Sequence, residues 1–334
     1  MTGGRSLSIA LQTDKPLAAY GPLAALVERL GFDMLSIYAD LLFQPPVVPL
    51  ALAAQATRRI ALGPAALNPF TLHPVEIAGQ IATLDLLSDG RAYLGLARGA
   101  WLANVGVRQD DPVGRLREAI DVVERLLVGD DAGYEGRHFR LQPGQRLRYA
   151  VRRPRVPLLV GGWGPRALAL AGERADEVKV GGSANPDVVR PVRERIAVGA
   201  LRAGRDPREI GVALGAVTVV DEDGERARGL VRRELALYLP VVAPLDPTVT
   251  IDPELAARID ALVAAGDQSA AGQLIPDTLL DRFAFAGTPA QVIAQCEAAF
   301  AAGATRIEFG TPHGLTPEGG IRLLGERVLP ALRD

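Results

Sequence analysis

Short apolar runs and longer amphipathic stretches alternate along almost the whole chain. LSIALQ (7–12) predicts a strand, and 16–31 a helix that stops at Gly31. DMLSIYA (33–39) and 46–58 repeat the pair, as do RIALGPAA (59–66) with 74–88 and RAYLGLA (91–97) with 111–127. In that last helix Arg115, Glu118, Asp121 and Glu124 oppose Leu116, Ile120, Val123 and Leu127, which is the spacing of one buried helical stripe. VPLLVGG (156–162) with 165–175 and DEVKVGG (176–182) with 186–204 follow. A strand over 209–220 with a delayed helix over 288–303, then TRIEFG (305–310) with 317–332, complete eight pairs. Two stretches interrupt the rhythm. Residues 129–155 predict an excursion of hairpin type after the fourth unit, and the alanine-rich 221–286 predicts a helical insertion that lids the strand ends.

Eight strand–helix units predict one α/β domain over residues 1–334, a (β/α)8 TIM barrel with insertions after strands 4 and 7. A doubly wound sheet is the competing architecture, but it normally has fewer strands and a glycine fingerprint after the first, which this chain lacks. Barrels of this kind bind their ligands at the carboxyl ends of the strands. The candidate site residues are therefore read from those ends.

Composition narrows the chemistry. Hydrophobic residues make up 48% of the chain, enough for a substantial core, and a formal net charge of −2 gives no reason to expect a nucleic-acid partner. The N-terminus lacks a signal-peptide core and no apolar run approaches a membrane span, so a soluble cytoplasmic protein is expected. One cysteine, Cys296, allows no internal disulfide and reads as a small buried apolar residue. Three histidines (His73, His138 and His313) form no ligand cluster with cysteine, so no metal site is expected. There is no G-x-S-x-G elbow, no Walker loop and no early G-x-G-x-x-G. With the usual nucleophiles absent, a bound cofactor is the expected source of chemistry.

Two loops, VGGWGP and VGGSANP, place glycines after a strand and a proline at a helix start. Gly161, Gly162, Trp163 and Gly164 in the first, and Gly181, Gly182 and Ser183 in the second, are candidates for holding a phosphate on helix amides. Both loops can equally be tight turns that need glycine. Strand four ends in Ala97, Arg98, Gly99 and Trp101; the guanidinium suits an anion and the indole suits a pocket wall. Asp40 and Tyr38 end strand two, Gln12 ends strand one, and His313 follows strand eight. In LGPAALNPFTLHP (62–74), prolines stiffen a loop whose alanines let a ligand approach.

The run from Gly63 to Arg91 resembles the luciferase-like superfamily of flavin- and deazaflavin-dependent barrels. It carries Gly-Pro, small residues, Asn-Pro, an aromatic, Thr, His-Pro and then Leu-Asp-Leu-Leu-Ser-Asp-Gly-Arg in the family's order. LVGGWGPRALALAGERAD, GRDPREIGVAL and DTLLDRFAFAGTPAQVI extend the likeness over most of the chain, closest to the coenzyme F420-dependent methylenetetrahydromethanopterin reductases. The resemblance implies a non-prolyl cis peptide at Ala65–Ala66 behind the deazaflavin ring, with Asn68 beside it. It also implies a cofactor phosphate near the loops after strands four to six, and a homodimer. The chain departs from the pattern where relatives carry acids: Ala39–Asp40 stands for an Asp-His pair, Ala100 for an acidic residue and Ala10 for a glutamate.

The leading expectation is thus an F420-dependent oxidoreductase that transfers hydride between the deazaflavin and an organic substrate, reducing an electrophilic C=C or C=N bond of a small molecule or modified peptide. Tyr38, His313 or water would supply the proton, and Gln12 and Trp101 would face substrate. The alternatives are an FMN-dependent luciferase-like monooxygenase, a cofactor-binding protein without turnover, and an unrelated barrel.

Overall fold

The computed structural model describes residues 5–333; the ends of the single domain expected over 1–334 lie outside the described residues. Barrel strands and their helices alternate from the start: β1 Ser6–Leu11, α1 Tyr20–Leu30, β2 Met34–Ile37, α2 Val47–Ala56, β3 Ala61–Pro64, α3 Pro74–Leu87, β4 Leu94–Leu96 and α4 Pro112–Val128. A two-stranded hairpin follows, β5 Tyr134–Glu135 with β6 Arg140–Leu141. Then come β7 Leu158–Gly161, α5 Pro165–Arg174, β8 Glu177–Gly181, α6 Val189–Arg202 and the ten-residue β9 Gly211–Val220. The insertion holds α7 Gly224–Ala236, α8 Leu239–Val242, α9 Pro253–Ala264, α10 Gln268–Gln273 and α11 Asp277–Phe283. It ends in β10 Ala284–Gly287, before α12 Pro289–Ala301, β11 Arg306–His313 and α13 Pro317–Leu323.

All barrel pairings are parallel, in the order β3, β2, β1, β11, β9, β8, β7, β4. The ring closes between β3 and β4 through the bridges Leu62–Ala92 and Leu67–Leu96. This seam explains why β4 is shorter than the strand expected over 91–97: its neighbour leaves the ladder after Pro64 and returns only at Leu67. Gly63 and Gly95 make the close approach possible, since a Cβ on Gly63 would stand 2.2 Å from the Tyr93 carbonyl oxygen. The Ala65–Ala66 peptide within the seam is cis, and Thr311–Pro312 is a second cis bond that sequence reading did not foresee.

The first interruption differs in detail from the expectation. The stretch 129–155 leaves the end of α4 rather than a strand, and its hairpin turns back along that helix. Glu118 accepts the amides of Arg137, His138 and Phe139, and the Arg115 guanidinium lies between the Phe70 and Phe139 rings. The second interruption is mostly helical, as expected, and ends in Ala284–Gly287, which adds a parallel strand to the outer half of β9. Its helices form a separate apolar core around Val231, Leu235, Ile259, Leu280 and Phe283. Cys296 is buried on the inner face of α12, as its apolar setting predicted.

The inside of the barrel is not purely apolar. Glu177 and Lys179 on β8, Arg306 and Glu308 on β11, Ser8 on β1 and Ser36 on β2 point inward and are nearly or fully buried. Arg306 binds Glu177 with Nη2 to Oε2 at 2.6 Å and Glu308 with Nη1 to Oε2 at 3.0 Å. Ser36 donates to Glu308 at 2.5 Å and pairs with the Tyr93 hydroxyl at 2.7 Å. Two cations and two carboxylates balance, so no charge is left uncompensated in the core.

Candidate active site

A cavity of about 340 Å³ opens at the carboxyl ends of the strands. Its floor is Tyr38, Lys179, Gly215 and Thr311; one wall is Ala65, Ala66, Asn68, Ala97 and Gly161. The insertion supplies the roof, through Glu234, Leu235, Tyr238, Val241, Val242, Leu245 and Phe283. Trp101, held in the left-handed region at φ 55°, meets the Tyr238 ring edge-on at 6.0 Å across the mouth. The volume is that of a small-molecule site, and the small side chains on one wall leave a flat slot.

Most of the residues proposed from sequence meet here. Tyr38, Asp40, Ala65, Ala66, Asn68, Ala97, Arg98, Gly99, Trp101, Gly161, Gly162, Trp163, Gly181 and Gly182 all line the cavity. Arg98 is exposed at the rim and has no carboxylate partner among the described residues. Asn68 spends its side-chain oxygen on the amides of Phe70 and Thr71, which fixes the loop after the seam.

Four residues fall elsewhere. Gln12 is buried behind the wall, where Nε2 donates to Asp40 Oδ2 at 2.8 Å while Oε1 accepts the Thr13 amide. It therefore aims Asp40 rather than facing a substrate. His313 is fully buried; Nε2 lies 3.1 Å from the Ala10 carbonyl oxygen and Nδ1 has no partner. Burial, aided by the Lys15 charge, pushes its pKa down to about 4, so it stays neutral at pH 7 and away from the cavity. Gly164 caps α5 outside the lining, and Ser183 is buried with Oγ accepting the Asn185 amide.

The two glycine loops, alike in sequence, also part ways. In the second, Gly182 and Ser183 both donate to the Gly215 carbonyl, and Ala184 donates to that of Arg282. Its amides are used up in holding β9 and the insertion. In the first loop only Gly162 is engaged, donating to Lys179 O; the amides of Trp163, Gly164, Arg166 and Ala167 have no acceptor among the described residues. Of the two loops, only the one at the α5 start keeps amides free for an outside acceptor. The Trp163 indole links the two loops by donating to Gly181 O at 2.9 Å.

Sequence reading missed Lys179, although a lysine inside the short apolar strand DEVKVGG is itself a signal. Its Nζ pairs with Glu308 and lies 4.9 Å from the centre of the Tyr38 ring. Burial, with the Glu308 and Asp40 charges, pushes the Tyr38 phenol well above its ordinary range, so it keeps its proton. Lys179 and Arg306 together hold the buried Glu308 carboxyl down at about 2. No group of three or more His, Cys, Asp or Glu side chains is placed to hold a metal among the described residues. Nor is any helix among them long and apolar enough to cross a membrane.

A parallel eight-stranded barrel with a cavity at its strand ends, under a helical roof, defines the class: a TIM barrel with its candidate site where such barrels bind ligands. The chain belongs to the luciferase-like monooxygenase family, whose model matches residues 4–306. It is 31% identical over 321 residues to the 5,10-methylenetetrahydromethanopterin reductase of Methanolobus tindarius, covering 94% of this chain and 96% of that one. The enzyme of the same name from Archaeoglobus fulgidus is 30% identical over 318 residues, covering 92% and 94%. The solved structure of the coenzyme F420-dependent tetrahydromethanopterin reductase from Methanopyrus kandleri superposes with a TM-score of 0.91 at 29% identity, over 99% of this chain and 100% of that one.

Proposed function

We propose that this protein is a coenzyme F420-dependent oxidoreductase that reduces an electrophilic C=N or C=C bond of an organic substrate. The observation that carries the reading is the α5 start: its four amides lack protein acceptors, and the loop leading into it lines, through Gly162 and Trp163, a slot walled by Ala65, Ala66, Ala97 and Gly161. That arrangement fits a flat ring with a phosphate-bearing tail, and the relative from Methanopyrus kandleri is F420-dependent.

In this reading the loop 162–167 and the exposed Arg98 hold the tail phosphate, while Ala65, Ala66 and Ala97 leave room for the ring. Gln12 orients Asp40, whose remaining oxygen is free to accept a hydrogen bond from a ligand. When bound, the deazaflavin supplies a hydride to the substrate carbon. Trp101 and Tyr238 narrow the mouth, and the apolar roof at Val241, Val242 and Leu245 excludes water from the reacting atoms. Ala10 and Ala100 stand where the family resemblance implies acids, so a methanopterin substrate is not part of the proposal.

Titration of the apoprotein with reduced F420 and, separately, with FMN tests the reading by fluorescence. Micromolar binding of the deazaflavin with weak FMN binding is the expected result. The reverse preference would make it a flavin monooxygenase, and binding of neither would end the cofactor assignment.

A further inference from the structure

We propose that Lys179 is a catalytic residue of this cavity, the group that binds the electron-rich atom of the substrate as it becomes negative and gives it a proton. The inference deepens the reading of the cavity as a hydride-transfer site. Lys179 is the one ammonium among the lining residues; the other lining cation, Arg98, lies at the exposed rim.

Its surroundings are ordered in a way that a merely structural ion pair does not require. Gly215 clears the space for it, since a Cβ there would stand 2.9 Å from Lys179 Cε and 3.3 Å from Glu308 Oε1. Glu308 is fully buried behind the lysine and shares its charge with Arg306 and its hydrogen-bonding capacity with Ser36. Arg306 in turn is tied to Glu177 and Ser8. The counter-charges of the network therefore all lie on the core side, and its positive end lines the cavity. An electrostatic site built this way favours negative charge developing at its open end.

The other acid–base groups on the lining serve this role less well. Tyr38 holds its proton tightly in the company of Glu308 and Asp40. Asp40 and Glu234 bring negative charge, and Tyr238 sits on the roof beside Trp101. The substrate class follows: a C=N bond, or a C=C bond conjugated to a carbonyl, whose nitrogen or oxygen approaches Lys179.

In the reaction the substrate carbon gains a hydride, forming a C–H bond, and the π pair shifts to nitrogen or to the conjugated oxygen. That atom takes a proton from the Lys179 ammonium, forming N–H or O–H. The amine left on Lys179 recovers a proton from water, favoured by the adjacent Glu308 carboxylate. The two electrons would come from a reduced deazaflavin as the hydride, and the ring's N–H proton would pass to solvent, replacing the proton that Lys179 draws from water, so atoms and charge balance.

The test uses a fluorinated phenol, whose phenolate oxygen resembles an enolate. Its binding is followed by 19F NMR against pH, in the apoprotein and in protein saturated with F420. Wild-type protein is expected to prefer the phenolate over the neutral phenol by about tenfold or more. Lys179→Met should abolish the preference and Lys179→Arg should keep most of it. Because Lys179→Met leaves a buried carboxylate short of one partner, Lys179→Met/Glu308→Gln is measured alongside, with the same loss expected. A preference that survives both methionine variants, or no preference in the wild type, overturns the proposal. Should F420 fail to bind, the cofactor reading falls while the apoprotein titration still decides the role of Lys179.

Discussion

Gly95 faces Pro64 so closely that a Cβ on it would lie 2.1 Å from the Pro64 carbonyl oxygen. The contact sits on the β3–β4 seam, directly beneath the Ala65–Ala66 wall of the cavity. Neither backbone can retreat, because Leu67 and Ala97 tie the same two segments together by donating to Gly95 O and Leu67 O. Gly95→Ala should therefore cost about 3 kcal/mol of stability, as overpacking of a fixed backbone contact does. Urea unfolding measures it; a loss below about 0.5 kcal/mol, the size of an ordinary surface substitution, would show that the seam can open.

The same seam shows how far the sequence could be read. The glycines, prolines and alanines of residues 62–74 announced a rigid loop near a ligand, and eight strand–helix units announced the barrel, because both signals are local. The fates of VGGWGP and VGGSANP were not local. The second loop loses its amides to Gly215 on β9 and Arg282 on α11, contacts that no spacing within the loop encodes. Gln12 and His313 were likewise assigned to a strand end, yet a shift of one residue along a strand turns a side chain from cavity to wall. Lys179 was hidden for a related reason: its partner Glu308 is on β11 and far away in sequence.

Asp40 depends on Gln12 for its direction. Gln12→Ala removes the 2.8 Å hydrogen bond and leaves a carboxylate free to turn. Hydrogen bonds to charged groups are worth about 1.5–3 kcal/mol, so F420 affinity should fall by about tenfold, with Asp40→Asn giving a loss of similar size. Fluorescence titration reads both. Unchanged affinity in the two variants would remove Asp40 from the cofactor site.

His313 makes stability depend on pH. Its folded pKa of about 4 lies below the 6.5 of a free histidine, so the unfolded chain binds the proton more readily between these values. Stability from this residue is then complete above pH 6.5 and is lost as pH falls toward 4, by on the order of 3 kcal/mol. Asn tolerates the φ of 79° at this position. His313→Asn should flatten the slope of unfolding free energy between pH 4 and 6.5, whatever it does to the absolute value. A slope that persists would assign the dependence to other groups.

The roof is latched to the second glycine loop by Asn185. Its Nδ2 donates to Asp246 Oδ2 and Thr248 Oγ1, both at 2.8 Å, and its Oδ1 accepts from Arg282. Asn185→Ala leaves the buried Asp246 short of a donor, a loss of about 1–3 kcal/mol confined to the insertion. Hydrogen exchange across 224–283 should accelerate while the strands of the barrel stay protected. Uniform acceleration would mean that the insertion unfolds only with the whole domain.

Gly164 separates stability from binding. It is the N-cap of α5 with φ −69° and ψ 148°, a conformation open to any residue, and a Cβ there meets nothing within 4 Å. Gly164→Asp therefore adds a capping carboxylate to amides that lack an acceptor. An aspartate at the N-cap serves a helix about as well as any residue, and better than glycine by a few tenths of a kcal/mol. The same carboxylate occupies the cradle proposed for the cofactor phosphate, so F420 affinity should drop by at least about tenfold while the melting temperature holds or rises. The deazariboflavin core without its phosphate tail should bind wild type and variant alike. If F420 affinity is unchanged in a variant that folds as well as wild type, the phosphate lies elsewhere, and the exposed Arg98 at the rim becomes the next residue to replace.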